Sequence, residues 1–557
     1  MQRELKRLAD EQFDVLVIGG GITGSCICHD AALRGLSVAL VERGDFAGAT
    51  SSASSKLLHG GIRYLAKAQF GKVRESAREQ AIFQVLAPHL TRWVPFLIPT
   101  EKSAPAKGAL AMRAAMRVYS LCCAGLSSLV TDPAKQQPQH RFLSAREAVQ
   151  NVPLLHAIPG LTGAQILYES HMHSSERMCL AFLKSAAGRG AAIANYLEVR
   201  KYLTRNGRVE GVRVQNRLDG QEFDIRARLV VNAAGPFVQK MNQTLPSLRL
   251  HHPLTGFSRG VHLVTRQIEP EYALALTTGK KTEGLITRGG RHFFIIPWRG
   301  HSLIGTTNVP VREELTSIRV TEQDVEEFLA DINSSLPDIN LEVQDVKYAF
   351  TGLYPIIARR IKPDTYQGTG EYQIVDHAQK DGVEGCVTAL GAKYTTARHV
   401  AARTVDLVFR KLEETDPGCS TDSVPLDEGN IQDMHAFREQ CRQQYGSCME
   451  SELVDHLLIN HGCEIDALVR LGREQGLLEP VAAGRSTLKA EIIHAISHEM
   501  ACTLEDIVFR RTGLGTIGHP GRQALQWCAR VMAGHLGWSD EETKQQLDQV
   551  EQRYVYR

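Results

Sequence analysis

The chain has 557 residues, 43% hydrophobic and 23% charged, with 64 Lys and Arg against 62 Asp and Glu. At about 100–200 residues per domain this is roughly three or four domain-sized units. A formal charge of +2 lacks the basic excess of a nucleic-acid binder, and the ordinary apolar content excludes a disordered chain. Twelve cysteines lie scattered without a C-x-x-C pair, so zinc-ribbon and iron–sulfur spacings are absent and no metal site is expected. Free thiols in that pattern suit a reducing compartment. The opening MQRELKRLADEQFD lacks the apolar core of a secretory leader, and no run reaches the about 18–20 apolar residues that span a bilayer.

In chain order, FDVLVIG (13–19) reads as a buried parallel-type strand, GGITG as a tight turn, and SCICHDAALRG as a helix closed by Gly35. LSVALVE is a second buried strand ending at Glu42, which completes a βαβ unit. Residues 191–235 predict an antiparallel ribbon returning to a buried strand. Residues 251–362 carry several strand-like runs, interrupted by the helix TEQDVEEFLADINSSL. Residues 413–430 are polar and rich in turn formers, a linker; beyond them the pattern is helical, with Leu488, Ile492, Ile493, Ile496 and Met500 on one face.

Gly19, Gly21 and Gly24 form G-x-G-x-x-G between that first strand and its helix. The first glycine permits the turn, the second lets backbone approach a pyrophosphate, and the third allows close helix–strand packing. Glu42 lies 18 residues past Gly24, near the spacing expected of an acid that binds a ribose hydroxyl. A carboxylate there repels a 2′-phosphate, so the motif leaves FAD and NAD open and disfavours NADP.

The next segment separates them. ERGDFAGATSSASSKLLHGGIRYL (42–65) resembles the signature of FAD-dependent, quinone-linked glycerol-3-phosphate dehydrogenases. LVVNAAGPFV (229–238), LGAKYTTARHVAARTV (390–405), RGVHLV (259–264), IIPWRGHSLIGTTNV (295–309) and the helical 491–515 are similar to the same family in the same order. The resemblance implies an α/β fold: a Rossmann-like FAD-binding domain, an interleaved β-rich substrate domain and a C-terminal all-helical domain. Their expected bounds are 10–90, 150–250 and 370–412 for the first, 91–149 and 251–369 for the second, and 431–557 for the third.

It also implies the site. Beside the three glycines and Glu42, the expected FAD contacts are Thr50, Ser51, Ser52, Ser55, Lys56, His59, Gly60, Ala234, Gly235, Gly391, Thr395 and Thr396. Arg63, His262 and Lys393 are the expected catalytic group, with His262 as general base because imidazole titrates in the right range; its other reading is a hydrogen-bonded core histidine. Tyr64, Tyr354, Arg359 and Arg360 are expected at the substrate. Here the chain departs from the family: where S-G-V-R-P-L is usual it has Thr351-Gly352-Leu353-Tyr354-Pro355-Ile356, so a tyrosine replaces an arginine that holds substrate phosphate. Arg359 and Arg360 stand as substitutes or as a solvated pair.

The implied reaction is oxidation of sn-glycerol 3-phosphate to dihydroxyacetone phosphate, with electrons passed to a membrane quinone. The alternatives are a related flavoprotein acting on another secondary alcohol or an amine, and a catalytically silent flavoprotein. Residues 91–130 carry Arg92, Lys102, Lys107, Arg113 and Arg117 against Glu101 among apolar stretches, as an interfacial segment or as a buried helix pair with surface arginines. A cytoplasmic protein at the inner face of the membrane is expected, a homodimer is possible in such a family, and the pairs His171/His173 and His251/His252 read as structural or solvated.

Overall fold

A computed structural model describes residues 1–102, 108–277, 292–311, 318–356, 371–391 and 393–556. The β-branched run Gln12–Ile18 lies within an eight-stranded sheet, parallel to Val38–Val41 on one side and Glu222–Asn232 on the other. Parallel pairing continues outward to Ala192–Ala194 and Cys386–Leu390. Both faces of such a sheet are covered, which is why its strands read as unbroken apolar runs. The helix Ile22–Leu33 is wedged between helices Ser175–Gly188 and Ala397–Leu412 and is buried almost all round, so its sequence shows no polar face. The predicted ribbon is present as Leu197–Arg205 and Arg208–Asn216, leading into Glu222–Asn232.

A second sheet has ten strands. Gly256–Arg266 pairs antiparallel with Val346–Ile356 on one side and with His301–Gly305 on the other. The sheet runs on through His292–Trp298 and Ala273–Thr277 to Thr91–Glu101 and Leu161–Met172. The expected segment 150–250 therefore spans both sheets: its first strand pairs with Thr91–Glu101, a partner that no local signal reveals.

Residues 413–430 hold one short 3₁₀ turn, Asp427–Gly429, and lead into helices from Met434–Tyr445 to Asp540–Gln552. Some of these helices pack on one another around Leu457, Leu458 and Leu468. The others share a core with the second sheet, where Trp298 and Tyr348 meet Ile492, Val508 and Phe509. Tyr348 stacks on Phe509 at 5.4 Å between ring centres. The helical part is thus fused to the β-rich part by a common apolar interior.

Candidate active site

The glycine turn is built for close approach. Gly19 has φ +109°, and a Cβ there would lie 2.7 Å from the Ala233 carbonyl oxygen. At Gly24 a Cβ would lie 1.9 Å from the Gly19 carbonyl oxygen, so only hydrogen lets the helix sit against the turn. Gly21 heads the helix Ile22–Leu33 with no capping side chain and no acid in its first turn. That leaves the positive end of the helix to whatever enters the cavity it faces. Ser51 Oγ accepts from the Ile22 N–H at 3.0 Å.

A cavity of about 1070 Å³ opens from this turn. Glu42 lines it, with its two carboxylate oxygens accepting from the Gly20 and Gly44 N–H groups, each at 2.8 Å. Burial raises the Glu42 pKa, partly opposed by those donors. Thr50, Ser51, Ser52, Lys56, Ala234, Gly235, Gly391, Lys393 and Tyr354 also line the cavity. Lys56 is buried with φ +55° and donates to both oxygens of Glu176, at 2.9 and 2.8 Å.

Other expected contacts stand behind this wall. The hydroxyl of Thr395 accepts from the His59 N–H at 3.0 Å, and Gly60 N–H donates to Glu169 at 2.7 Å. Thr396 is buried, and none of these four faces the cavity. They shape the strand and loop that carry residues 57–65. Arg359 and Arg360 lie outside the described residues.

His262 lines a side chamber of about 180 Å³ that shares Thr50, Ala53, Ser54 and 352–354 as walls with the main cavity. Its Nε2 lies 2.9 Å from Ser55 Oγ, and its Nδ1 has no hydrogen-bond partner. The ring is clasped between Phe350, stacked at 5.0 Å and 6°, and Gly305, where a Cβ would lie 2.1 Å from it. Burial, helped by the Lys56 charge, pushes its pKa down to about 3, so the imidazole is neutral and does not titrate in the near-neutral range expected of it from the sequence. Asn308 shares the chamber, and its buried Oδ1 also lacks a partner. Asn308 has no expected role from the sequence; the signal there is a polar residue near the end of the strand-like run IIPWRGHSLIGTTNV.

Arg63, Tyr64 and Lys393 do come together. Arg63 donates to the Tyr64 hydroxyl at 3.2 Å, and Lys393 Nζ lies 4.8 Å from the Tyr64 ring centre while donating to Ser76 at 2.7 Å. Lys72 is 6.0 Å from the same ring. Burial raises the Tyr64 phenol, but Arg63 and Lys393 outweigh it and leave it below its ordinary value. Burial lowers Lys393. Lys72 is already paired with Glu371 at 2.7 Å, so Lys393 is the member of this group that brings a positive charge to the cavity wall.

Among the histidine pairs, His171 is buried and His173 half-buried, while His251 and His252 are exposed. Among the described residues, His461, Glu464, His494 and Glu499 bring possible ligand atoms within 4.8 Å of one another. The Lys184 ammonium already pairs with Glu464 and Glu499 there.

A glycine turn, a ribose-spacing acid and a long cavity under a β-rich cap define a dinucleotide-dependent oxidoreductase. The sequence profile described as "FAD dependent oxidoreductase" matches residues 14–406, and that of the "C-terminal domain of alpha-glycerophosphate oxidase" matches residues 419–543. A glycerol-3-phosphate dehydrogenase from a Synechocystis strain is 31% identical over 98% of this chain and 97% of its own. The mitochondrial glycerol-3-phosphate dehydrogenase of Homo sapiens is 32% identical over 98% of this chain and 73% of its own. The crystal structure of glycerol-3-phosphate dehydrogenase from Bacillus halodurans complexed with FAD superposes with a TM-score of 0.76 at 27% identity, covering 98% of this chain and 95% of that one. The chain belongs to the FAD-dependent glycerol-3-phosphate dehydrogenase family, and its cofactor is FAD. The residues fit that group: Gly19 and Gly24 leave no room for a Cβ, the helix end has no capping side chain of its own and meets Ser51, and Glu42 stands at ribose spacing.

Proposed function

We propose that the protein oxidises sn-glycerol 3-phosphate to dihydroxyacetone phosphate and passes the electrons to a membrane quinone. The observation that carries this reading is the neutral, clasped His262 in a chamber that joins the cofactor cavity. Bound FAD supplies the acceptor for the hydride that leaves the secondary carbon. His262, held by Ser55 and Phe350, is the group in the chamber that accepts the hydroxyl proton, and with its pKa near 3 it does so as the hydride leaves, when the hydroxyl is most acidic. Lys393, with Arg63 and Tyr64 behind it, supplies positive charge for the substrate phosphate. In this reading Thr50, Ser51, Ser52, Lys56, Ala234, Gly235 and Gly391 bind FAD directly, while Ser55, His59, Gly60, Thr395 and Thr396 position the wall.

The helix Ala109–Cys122 supports a membrane contact. Its inner residues Met112, Met116 and Tyr119 pack around Tyr64, and its outer face exposes Leu110 (83%) and Leu121 (74%) beside Arg113 and Arg117. Interfacial helices combine apolar residues and cations in this way. No described helix is long and apolar enough to cross a membrane.

Anaerobic addition of glycerol 3-phosphate tests the reaction: the visible flavin absorption should bleach. If another secondary alcohol or an amine bleaches it and glycerol 3-phosphate does not, the named substrate is wrong. If no substrate in such a panel does, the protein is a silent flavoprotein.

A further inference from the structure

The loop that follows Glu42 is held from the far end of the chain. Asp45 is buried, with its side chain 1% exposed. Arg511 meets it with two prongs, NH1 to Oδ2 and NH2 to Oδ1, both at 2.7 Å. Arg510 Nε donates to Oδ2 at 2.5 Å, and Asn195 Nδ2 to Oδ1 at 3.0 Å. Arg510 and Asp45 are 465 positions apart in the chain. Two adjacent arginines reach one carboxylate because they end a single π-helical turn, Asp506–Arg511. Such turns are rare and recur at functional sites. Asp506, in the same turn, takes the other arm of Arg510 at 2.5 Å and the Tyr196 hydroxyl at 2.7 Å, so two cations and two carboxylates balance.

The held loop in turn holds the glycine turn. Gly48 N–H donates to the Asp45 carbonyl, and Ala47 N–H donates to the Gly20 carbonyl, each at 3.0 Å. Gly44 N–H and Gly20 N–H both reach Glu42. Tyr196 N–H donates to the Gly44 carbonyl at 2.9 Å. Asp45 and Arg510 themselves stand on the cavity wall. Each link is a hydrogen bond with its own geometry, so moving Asp45 moves the ribose acid and the pyrophosphate turn together.

We propose that Asp45 is a positioning residue for FAD and that Arg510 and Arg511, from the C-terminal helical domain, set it, so that the helical domain is part of the cofactor site. The inference rests on the FAD class alone and is independent of the substrate.

The test is reconstitution of apoprotein with FAD, read by quenching of flavin fluorescence, alongside thermal melting of the apoprotein by circular dichroism. Asp45→Asn and Arg511→Gln should raise the FAD dissociation constant by on the order of a hundredfold, the scale of breaking a buried pair. Arg511→Lys should recover part of the loss. Arg510→Gln, which leaves the two-pronged pair in place, is the milder variant, with an expected rise of about tenfold. Arg34→Met is the control, because it breaks a buried pair with Asp30 toward the far end of the helix Ile22–Leu33 and touches neither the loop nor the two arginines. It should lower the melting temperature and leave FAD affinity within about threefold. The proposal is overturned if Arg510→Gln and Arg511→Lys fold and bind FAD as tightly as the parent. It is equally overturned if Arg34→Met loses as much affinity as they do.

Discussion

Tyr354→Arg should tighten binding of a phosphorylated substrate by one to two orders of magnitude. Tyr354 lies on the strand Val346–Ile356 opposite Ser258, half-buried, on the walls of both the main cavity and the His262 chamber. Its phenol can offer a phosphate one neutral hydrogen bond, whereas a guanidinium there offers a charge-assisted, two-pronged one. Hydrogen bonds to charged groups are worth about 1.5–3 kcal/mol, which converts to roughly ten- to 150-fold in affinity. The assay is steady-state kinetics with glycerol 3-phosphate and with unphosphorylated glycerol, at matched FAD content. KM for the phosphorylated substrate should fall in that range, and KM for glycerol should not move. If both stay fixed, or both shift alike, the substrate phosphate does not sit beside residue 354 and the substrate assignment loses its footing.

Three other outcomes are expected. Gly24→Ala should yield protein that retains no FAD and melts lower, since its Cβ would lie 1.9 Å from the Gly19 carbonyl oxygen; Gly71→Ala, with open space around its Cβ, should bind FAD normally, and equal loss in both would refute the packing account. Stability should fall as pH drops below about 6.5, because burial holds His29 and His262 at about 3 and the unfolded chain takes up protons they refuse. At pH 5 this is about 2 kcal/mol for each histidine. Below about pH 4.5 the loss should steepen, because Arg177 and Lys184 outweigh the burial of Glu499 and Glu428 and hold both carboxylates low; a melting temperature flat from pH 7.5 to about 4.5 contradicts the scheme. Leu110→Asp with Leu121→Asp, and separately Arg113→Glu with Arg117→Glu, should abolish flotation with anionic vesicles, and unchanged flotation removes the helix Ala109–Cys122 from the membrane account.

The parts legible in the sequence were those whose determinants are contiguous. A strand, three glycines, a helix and an acid fall within 13–42, and each leaves its own period or spacing. The ribbon over 191–235 was legible for the same reason. Leu161–Met172 was not, because a strand's composition does not name its partner, and its partner is Thr91–Glu101. At the site, the hydroxyl-rich 50–56 run marked a wall, but it could not separate Ser51, which faces the cavity, from Ser55, which faces His262. Thr395 reads like a ligand contact, and nothing in the residue pattern around it shows that its hydroxyl also accepts from the His59 backbone. The Asp45 cluster was illegible for the plainest reason: its members are spread from residue 45 to residue 511 and meet only after folding. Asn308 was hidden in a strand-like run and is revealed by its unpartnered oxygen.

The order in which the chain leaves the ribosome gives the Asp45 cluster a temporal meaning. At about 5–20 residues per second, the 466 positions from Asp45 to Arg511 take roughly 20 seconds to a minute and a half to make. The glycine turn is therefore made well before the arginines that meet its neighbouring loop. On the proposal that those arginines set the cofactor site, a chain stopped before residue 510 should bind FAD weakly. Flavin retained by a purified sample would then be a readout of docked C-terminal helices.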